Sequence, residues 1–252
     1  MNAGLSQDAI LSDLRALGIQ PGDALEVHSS LSALGRVADG AGAVVDALMA
    51  AVGPEGALIM SAFPLSKPLP LTEQDRARGI TGMVRRYGED WRGPTGMGAI
   101  ADSFLRRTGV LVGDGLHRVA AWGREAECHR AGYGHLLATG GKALLLGVDI
   151  YRCTSMHYAE HVGIPPEVSA CYDVPASVSA LYPEDVLVFG GATPEPGWSK
   201  VLAEAERRGL VTRGRVGAAE ALLFVAADVV GIYEQALRDD PYGLFGVARP
   251  AP

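Results

Sequence analysis

Between Cys153 and His161 the chain places a thiol, two aliphatic hydroxyls, two imidazoles and a carboxylate within nine residues, Cys-Thr-Ser-Met-His-Tyr-Ala-Glu-His. That set supports three chemistries. His157 can serve as a general base, with Glu160 three residues on and on the same helical face to orient it. His157-Tyr158-Ala159-Glu160-His161 also fits H-x-x-E-H, in which histidines at i and i+4 share a zinc ion. Cys153 can be a nucleophile, since a helix N-terminus beside it would lower its pKa.

The segment around these residues must position them. Ala143–Val148 is an apolar run near glycines and predicts a buried strand, Asp149–Arg152 a loop, and Thr154 the opening of a helix. Thr154 and Ser155 are the expected N-caps. A strand that feeds a helix through a short loop turns backbone N–H groups toward the strand's carboxyl end, where α/β proteins bind ligands. The same helix start could receive a developing oxyanion.

Earlier in the chain, residues 6–17 predict a helix capped by Ser6, and Ala24–Val27 a strand that delivers His28, Ser29 and Ser30. Ala41–Val52 predicts a helix, Gly53-Pro54-Glu55-Gly56 a turn, and Ala57–Ala62 a strand parallel to the first. Residues 63–96 break the pattern with prolines, glycines and charges, and predict a long functional loop with one helical turn near Thr72–Arg78. Further on, Met97–Arg107 reads as a helix, and Val110–Val112, Arg118–Trp122, Val168–Val174 and Val186–Phe189 as strands. Trp198–Arg208 reads as a helix stopped by Gly209, Glu220–Val225 as a strand, and Asp228–Arg238 as a helix capped by Asp228. The tail from Asp239 is expected to be irregular. The fold class is α/β, one domain over residues 1–252 with a mixed central sheet flanked by helices.

Composition removes several function classes. A net charge of −7 argues against a general nucleic-acid binder. No run approaches a membrane span and no signal-peptide pattern opens the chain, so a cytoplasmic protein is expected. Three cysteines without CxxC spacing indicate neither a disulfide framework nor a zinc knuckle.

Particular residues then suggest a family. Val27-His28-Ser29-Ser30-Leu31-Ser32-Ala33-Leu34-Gly35, the Gly53–Gly56 turn, Met97-Gly98-Ala99-Ile100, Ala120-Ala121-Trp122-Gly123, Gly141–Val148, Thr154–Glu160 and Val216-Gly217-Ala218-Ala219 occur in one order. With these the chain resembles the aminoglycoside N3-acetyltransferases, acetyl-CoA-dependent enzymes distinct in fold from the GNAT acetyltransferases. It departs from the family where Asp114-Gly115-Leu116-His117-Arg118 stands in place of a His-Pro pair. A shortened loop at His129–His135 and a trimmed region between Val174 and Trp198 depart as well. These are regions expected to shape the acceptor pocket.

The resemblance implies acetyl transfer from acetyl-CoA, as co-substrate, to a small-molecule amine, the 3-amino group of a 2-deoxystreptamine aminoglycoside. His157 matches the family's catalytic histidine; Glu160, Thr154 and Ser155 accompany it. His28, Ser29, Ser30 and Leu31 match its cofactor-side motif. Gly35, Arg36 and Val37 are expected to approach pantetheine or pyrophosphate, and Gly98 and Ala99 to supply backbone donors. No metal, nucleic acid or membrane is expected, and a homodimer is left open. Glu89, Asp90, Asp102, Asp173, Glu184 and Asp185 are the carboxylates available for a polycationic acceptor. His117, His129 and His135 have no assigned partner and are expected at the surface. The alternatives are an acyltransferase for another amine and a CoA-binding homologue without aminoglycoside activity.

Overall fold

A computed structural model describes residues 4–250 apart from 65, 70–71, 78–83, 88–93, 116, 173–179, 183–185 and 189–193. In chain order the elements are α1 (Gln7–Leu17), β1 (Ala24–Ser29), α2 (Gly40–Val52), β2 (Ala57–Ser61), β3 (Ser66–Leu69), α3 (Glu73–Ala77), β4 (Val84–Tyr87), α4 (Ala99–Leu105), β5 (Leu111–Val112), β6 (Val119–Gly123), α5 (Ala126–His129), α6 (Gly134–Ala138) and β7 (Lys142–Leu146). A nine-residue 3₁₀ helix, Thr154–Val162, follows. Then come α7 (Pro166–Ser169), β8 (Val186–Val188), α8 (Glu195–Arg207), β9 (Val211–Val216), β10 (Ala219–Val225), α9 (Ala226–Asp239) and α10 (Pro241–Phe245).

The main sheet has seven strands in the order β5-β6-β2-β1-β7-β10-β9. It is mixed. β1 pairs in parallel with β2 and with β7, whereas β6 pairs antiparallel with β2, and β10 with β7. The chain leaves β1 toward β2 on one side and returns through β7 on the other, which opens a crevice at the carboxyl end of β1.

Period-2 alternation divides the sheet's side chains between two apolar layers. Leu25 and Val27 join α1, α2 and α4 on one face. Ile59, Leu145, Leu222 and Phe224 join the 3₁₀ helix, α8 and α9 on the other. Each fully buried leucine or isoleucine contributes about 1.5–3 kcal/mol, so both layers hold the sheet edge rigid beneath the crevice.

Ser6 caps α1 as expected, accepting from the Ala9 N–H, and the β1–α2–β2 unit is parallel. Several elements differ from the sequence reading. The expected strand at Val168–Val174 begins instead as the helix Pro166–Ser169, because Pro165 and Pro166 preset helical entry; residues 173 and 174 lie outside those described. The last long helix starts at Ala226 with Val225 as its extended N-cap, and Asp228 sits in the first turn without capping. The tail is not irregular: Asp240 accepts from the Gly243 N–H and starts α10. The stretch 63–96 contributes β3 and β4, which join β8 in a small antiparallel sheet. Pro68 lies in β3, the edge strand, where a missing N–H is tolerated.

Candidate active site

At the crevice, β1 turns Glu26 and His28 to the face opposite Leu25 and Val27, beneath the start of the 3₁₀ helix. Glu26 is fully buried and His28 is 9% exposed. Glu26 Oε1 lies 2.6 Å from His28 Nε2. The Ser155 N–H donates to the same carboxylate oxygen at 3.1 Å, and the Thr154 backbone nitrogen lies 3.2 Å from His28 Nε2. Thr154 Oγ1 reaches Ser61 Oγ at 3.0 Å, and Ser61 reaches the Tyr133 hydroxyl at 2.8 Å. Burial, and then the Glu26 charge, push the Tyr133 phenol well up, so it stays neutral. Two strands and the α5–α6 connection thus grip the first two residues of the helix.

This grip settles two expectations. Cys153, not Thr154 or Ser155, occupies the N-cap, in extended conformation and without a side-chain cap bond. The Thr154 and Ser155 hydroxyls are instead held by Ser61 and by Cys153 Sγ at 3.4 Å. Cys153 is fully buried. Burial first, and the nearby Glu26 second, raise its thiol well above the ordinary range. Desolvation here overrides any lowering by a helix N-terminus, so the thiolate needed for a nucleophile does not form at neutral pH.

The outer face of the same helix carries the exposed pair. A 3₁₀ helix has three residues per turn, so i and i+3 eclipse. His157 Nδ1 accordingly lies 3.1 Å from Glu160 Oε2. The Tyr233 hydroxyl of α9 donates to Glu160 Oε1 at 3.3 Å. Burial, then the Glu160 charge, push the Tyr233 phenol up and keep it a neutral donor. Trp198 of α8 meets the His157 ring edge to face at 4.9 Å and the Tyr233 ring at 5.9 Å. Trp198 and Tyr233 are both buried. The His157 side chain is 53% exposed, and its Nε2 has no hydrogen-bond partner among the described residues.

The 3₁₀ winding also separates the two histidines of H-x-x-E-H. At three residues per turn, i+4 is rotated about 120° from i. His161 Nδ1–H donates to the Tyr158 carbonyl at 2.7 Å, and its Nε2 faces Glu234 at 3.9 Å. His157 and His161 therefore point to different partners, and the zinc-protease arrangement is not formed.

The cofactor-side motif continues from β1. The Ser30 N–H donates to the Leu146 carbonyl at 2.9 Å, and Ser30 Oγ lies 3.1 Å from Ser32 Oγ. Ser29 is half-buried, and Leu31 packs on the layer that holds α2. Gly35 has φ 83°, a conformation that favours glycine. Arg36 is exposed and makes no ion pair among the described residues. Val37 bridges Leu5. Gly98, with φ 95°, is the N-cap of α4, and Ala99 is its exposed first residue. These residues sit with α2 and α4, whereas His157 sits with α8 and α9. His28 joins the two halves, since it belongs to the motif and lies against the Thr154 backbone nitrogen.

Among the remaining histidines, His117 packs on Phe63 with ring centroids 5.1 Å apart. Desolvation there, and then the charge of His157, pull the His117 imidazole down. It borders a cavity of about 360 Å³ lined also by Asp114, Arg118, Glu127 and Arg130. His129 is 1% exposed, contrary to its expected surface position; burial, then His135, bring its imidazole down to about 4. Asp102 is engaged by the Thr95 N–H and hydroxyl at 2.6 and 2.7 Å, and so braces the start of α4. Glu89, Asp90, Asp173, Glu184 and Asp185 lie outside the described residues.

Sequence reasoning passed over Glu26, Ser61, Tyr133, Trp198 and Tyr233. A signal existed for Glu26: it stands two residues before His28 in a strand, the spacing that puts both on one face. Nothing local marks the others, which arrive from distant elements.

Comparison with known proteins supplies an independent line. The profile described as Aminoglycoside 3-N-acetyltransferase matches residues 27–238. The Salmonella sp. aminoglycoside N(3)-acetyltransferase III is 30% identical over 89% of this chain and 88% of its own. A histidine-to-alanine mutant of AAC(3)-IVa in complex with a gentamicin superposes with a TM-score of 0.73 at 23% identity, covering 99% of this chain and 93% of that one. The binary complex of AAC-IIIb with CoASH superposes with a TM-score of 0.67 at 22% identity, over 98% and 99% of the two chains. These two structures speak to the fold.

Proposed function

The chain belongs to the aminoglycoside 3-N-acetyltransferase family, and from that premise we propose that it moves an acetyl group from acetyl-CoA to the 3-amino group of a 2-deoxystreptamine aminoglycoside. The observation that carries the mechanism is the exposed His157 imidazole, with Nδ1 against Glu160 and Nε2 open. A carboxylate on Nδ1 keeps the ring proton there and leaves the lone pair on Nε2. Nε2 takes the proton from the acceptor amine as the amine attacks the thioester carbonyl; the C–S bond then breaks and CoA leaves as the thiolate. A thiol pKa of about 8.5 makes that thiolate an adequate leaving group. Glu160 is the positioning residue for His157. Thr154 and Ser155, gripped by His28 and Glu26, fix the helix that presents it. Ser29, Ser30, Leu31, Gly35, Arg36, Val37, Gly98 and Ala99 form the cofactor side, with Arg36 the exposed cation for a phosphate. A cytoplasmic setting accords with acetyl-CoA as donor; among the described residues no helix is long and apolar enough to cross a membrane.

One observation favours a second acceptor class. Arg118 and Arg130 line the cavity beside His117 together with Asp114 and Glu127, and Arg130 pairs with Glu127 at 2.6 Å. A wall of mixed charge suits a polycation less well than carboxylates alone, and fits a neutral or singly charged amine. The deciding experiment is thiol release from acetyl-CoA with gentamicin, apramycin and unrelated monoamines, with products identified by mass. Turnover of an aminoglycoside with a KM that rises with salt, through screening of a polycation, supports the first reading. Turnover confined to a monoamine supports the second, and thiol release with none of them overturns both.

A further inference from the structure

The connection from β6 to β7 gathers a carboxylate and two imidazoles outside the acyl-transfer site. Glu125 precedes α5, His129 ends it, and His135 lies in the first turn of α6. One donor atom from each residue lies within 4.8 Å of the other two. Glu125 Oε2 and His135 Nε2 are 3.1 Å apart, and the His129 and His135 rings meet edge to face at 4.7 Å. His129 Nδ1 is buried without a hydrogen-bond partner. A buried ring nitrogen left unpaired is destabilising, and something that accepts its lone pair would remove the deficit.

We propose that Glu125, His129 and His135 form a divalent metal site, matched to zinc, that ties α5 to α6. Two imidazoles and one carboxylate are a ligand set zinc uses, with a fourth position left for water. Bonds of about 2.0–2.1 Å place tetrahedral ligand atoms about 3.3 Å apart. The Glu125–His135 pair already stands close to that spacing, and His129 completes the site by a small closure. Entry is open, since the Glu125 and His135 side chains are 48% and 28% exposed. Arg124 is the unfavourable neighbour, with Nε 4.0 Å from Glu125 Oε2; at 53% exposure it can turn into solvent. The ion takes no part in acetyl transfer. It braces the wall that carries Tyr133, which bonds Ser61, and the cavity residues Glu127 and Arg130.

The test is calorimetric titration of chelator-treated, dialysed protein with Zn²⁺, paired with the visible spectrum of the Co²⁺-loaded protein. The expected result is one ion per chain at micromolar or tighter affinity, a raised melting temperature through binding to the native state, and the absorption of four-coordinate Co²⁺. His135→Ala, at a half-buried position, and the isosteric Glu125→Gln, at an exposed one, should each weaken binding at least tenfold while the circular dichroism spectrum stays that of the wild type. His157→Ala should leave binding unchanged. No uptake at hundred-micromolar Zn²⁺ overturns the proposal, as does uptake that survives both ligand variants or vanishes with His157→Ala.

Discussion

Two of the carboxylate–imidazole pairs at the 3₁₀ helix stand in contrast, one under its first residues and one on its outer face. Glu26 and His28 are 0% and 9% exposed and stand two residues apart on a strand; Glu26 Oε1 and His28 Nε2 face each other, with the Thr154 and Ser155 backbone nitrogens packed against them. His157 and Glu160 are 53% and 24% exposed, stand three apart on the helix, and leave one imidazole nitrogen open. The same two functional groups therefore have opposite fates. The buried pair is sealed beneath the helix, with its facing atoms occupied, and acts as a fixture. The exposed pair is oriented on one side and vacant on the other, which is what a base requires. Residue type alone does not separate the two histidines; burial and an open nitrogen do, and on that difference the proposal for His157 rests.

The sharpest way to break this comparison is at the fixture. Glu26→Ala strips the carboxylate from His28 and leaves the Ser155 N–H buried and unpaired. A buried donor left without its partner costs about 1–3 kcal/mol, and urea unfolding should show a loss of at least that size. A variant as stable as the wild type would mean that Glu26 is no fixture.

The next effect is kinetic. Glu160→Gln keeps the shape but removes the charge that orients His157. A charge-assisted hydrogen bond contributes about 1.5–3 kcal/mol, so kcat should fall by about ten- to a hundredfold, with KM for acetyl-CoA unchanged. Tyr233→Phe removes only a long bond, 3.3 Å, to the other Glu160 oxygen. At about 0.5–1 kcal/mol it should lower kcat by about two- to fivefold, and steady-state kinetics of the purified variant would reveal it. The smallest effect belongs to Cys153→Ala. Turnover should be nearly that of the wild type, and intact-mass spectra of the wild type with acetyl-CoA alone should show no acetyl adduct. A rapidly formed and consumed adduct on Cys153 would revive covalent catalysis.

Much of the frame is legible in the residue order. Ser6 before a periodic apolar run gives α1, and the Ala24–Ala62 pattern gives a parallel β–α–β unit, because those signals are local. The carboxyl end of β1 and the Thr154–His161 segment can be singled out for the same reason, and the fold brings the two together. What escapes reading is decided at a distance. Val211–Val216 becomes a strand because β10 pairs with it along its length, although its own Thr-Arg-Gly-Arg core has no apolar alternation. The 3₁₀ winding of Thr154–Val162 places Glu160 over His157 and turns His161 away, and no spacing rule distinguishes it from an α-helix. Cys153 looks reactive in the sequence because a helix N-terminus beside it would lower its pKa; burial, and then the Glu26 carboxylate, push the thiol the other way.

The central claim is that His157, held by Glu160, is the base in a direct transfer from acetyl-CoA. His157→Ala tests it most directly when thiol release and CoA-induced thermal stabilisation are measured on the same preparation. The account predicts a fall in kcat of about 10²–10⁴, the range for a lost general base, with the CoA-induced rise in melting temperature retained. Turnover within tenfold of the wild type, with CoA still bound, would contradict it.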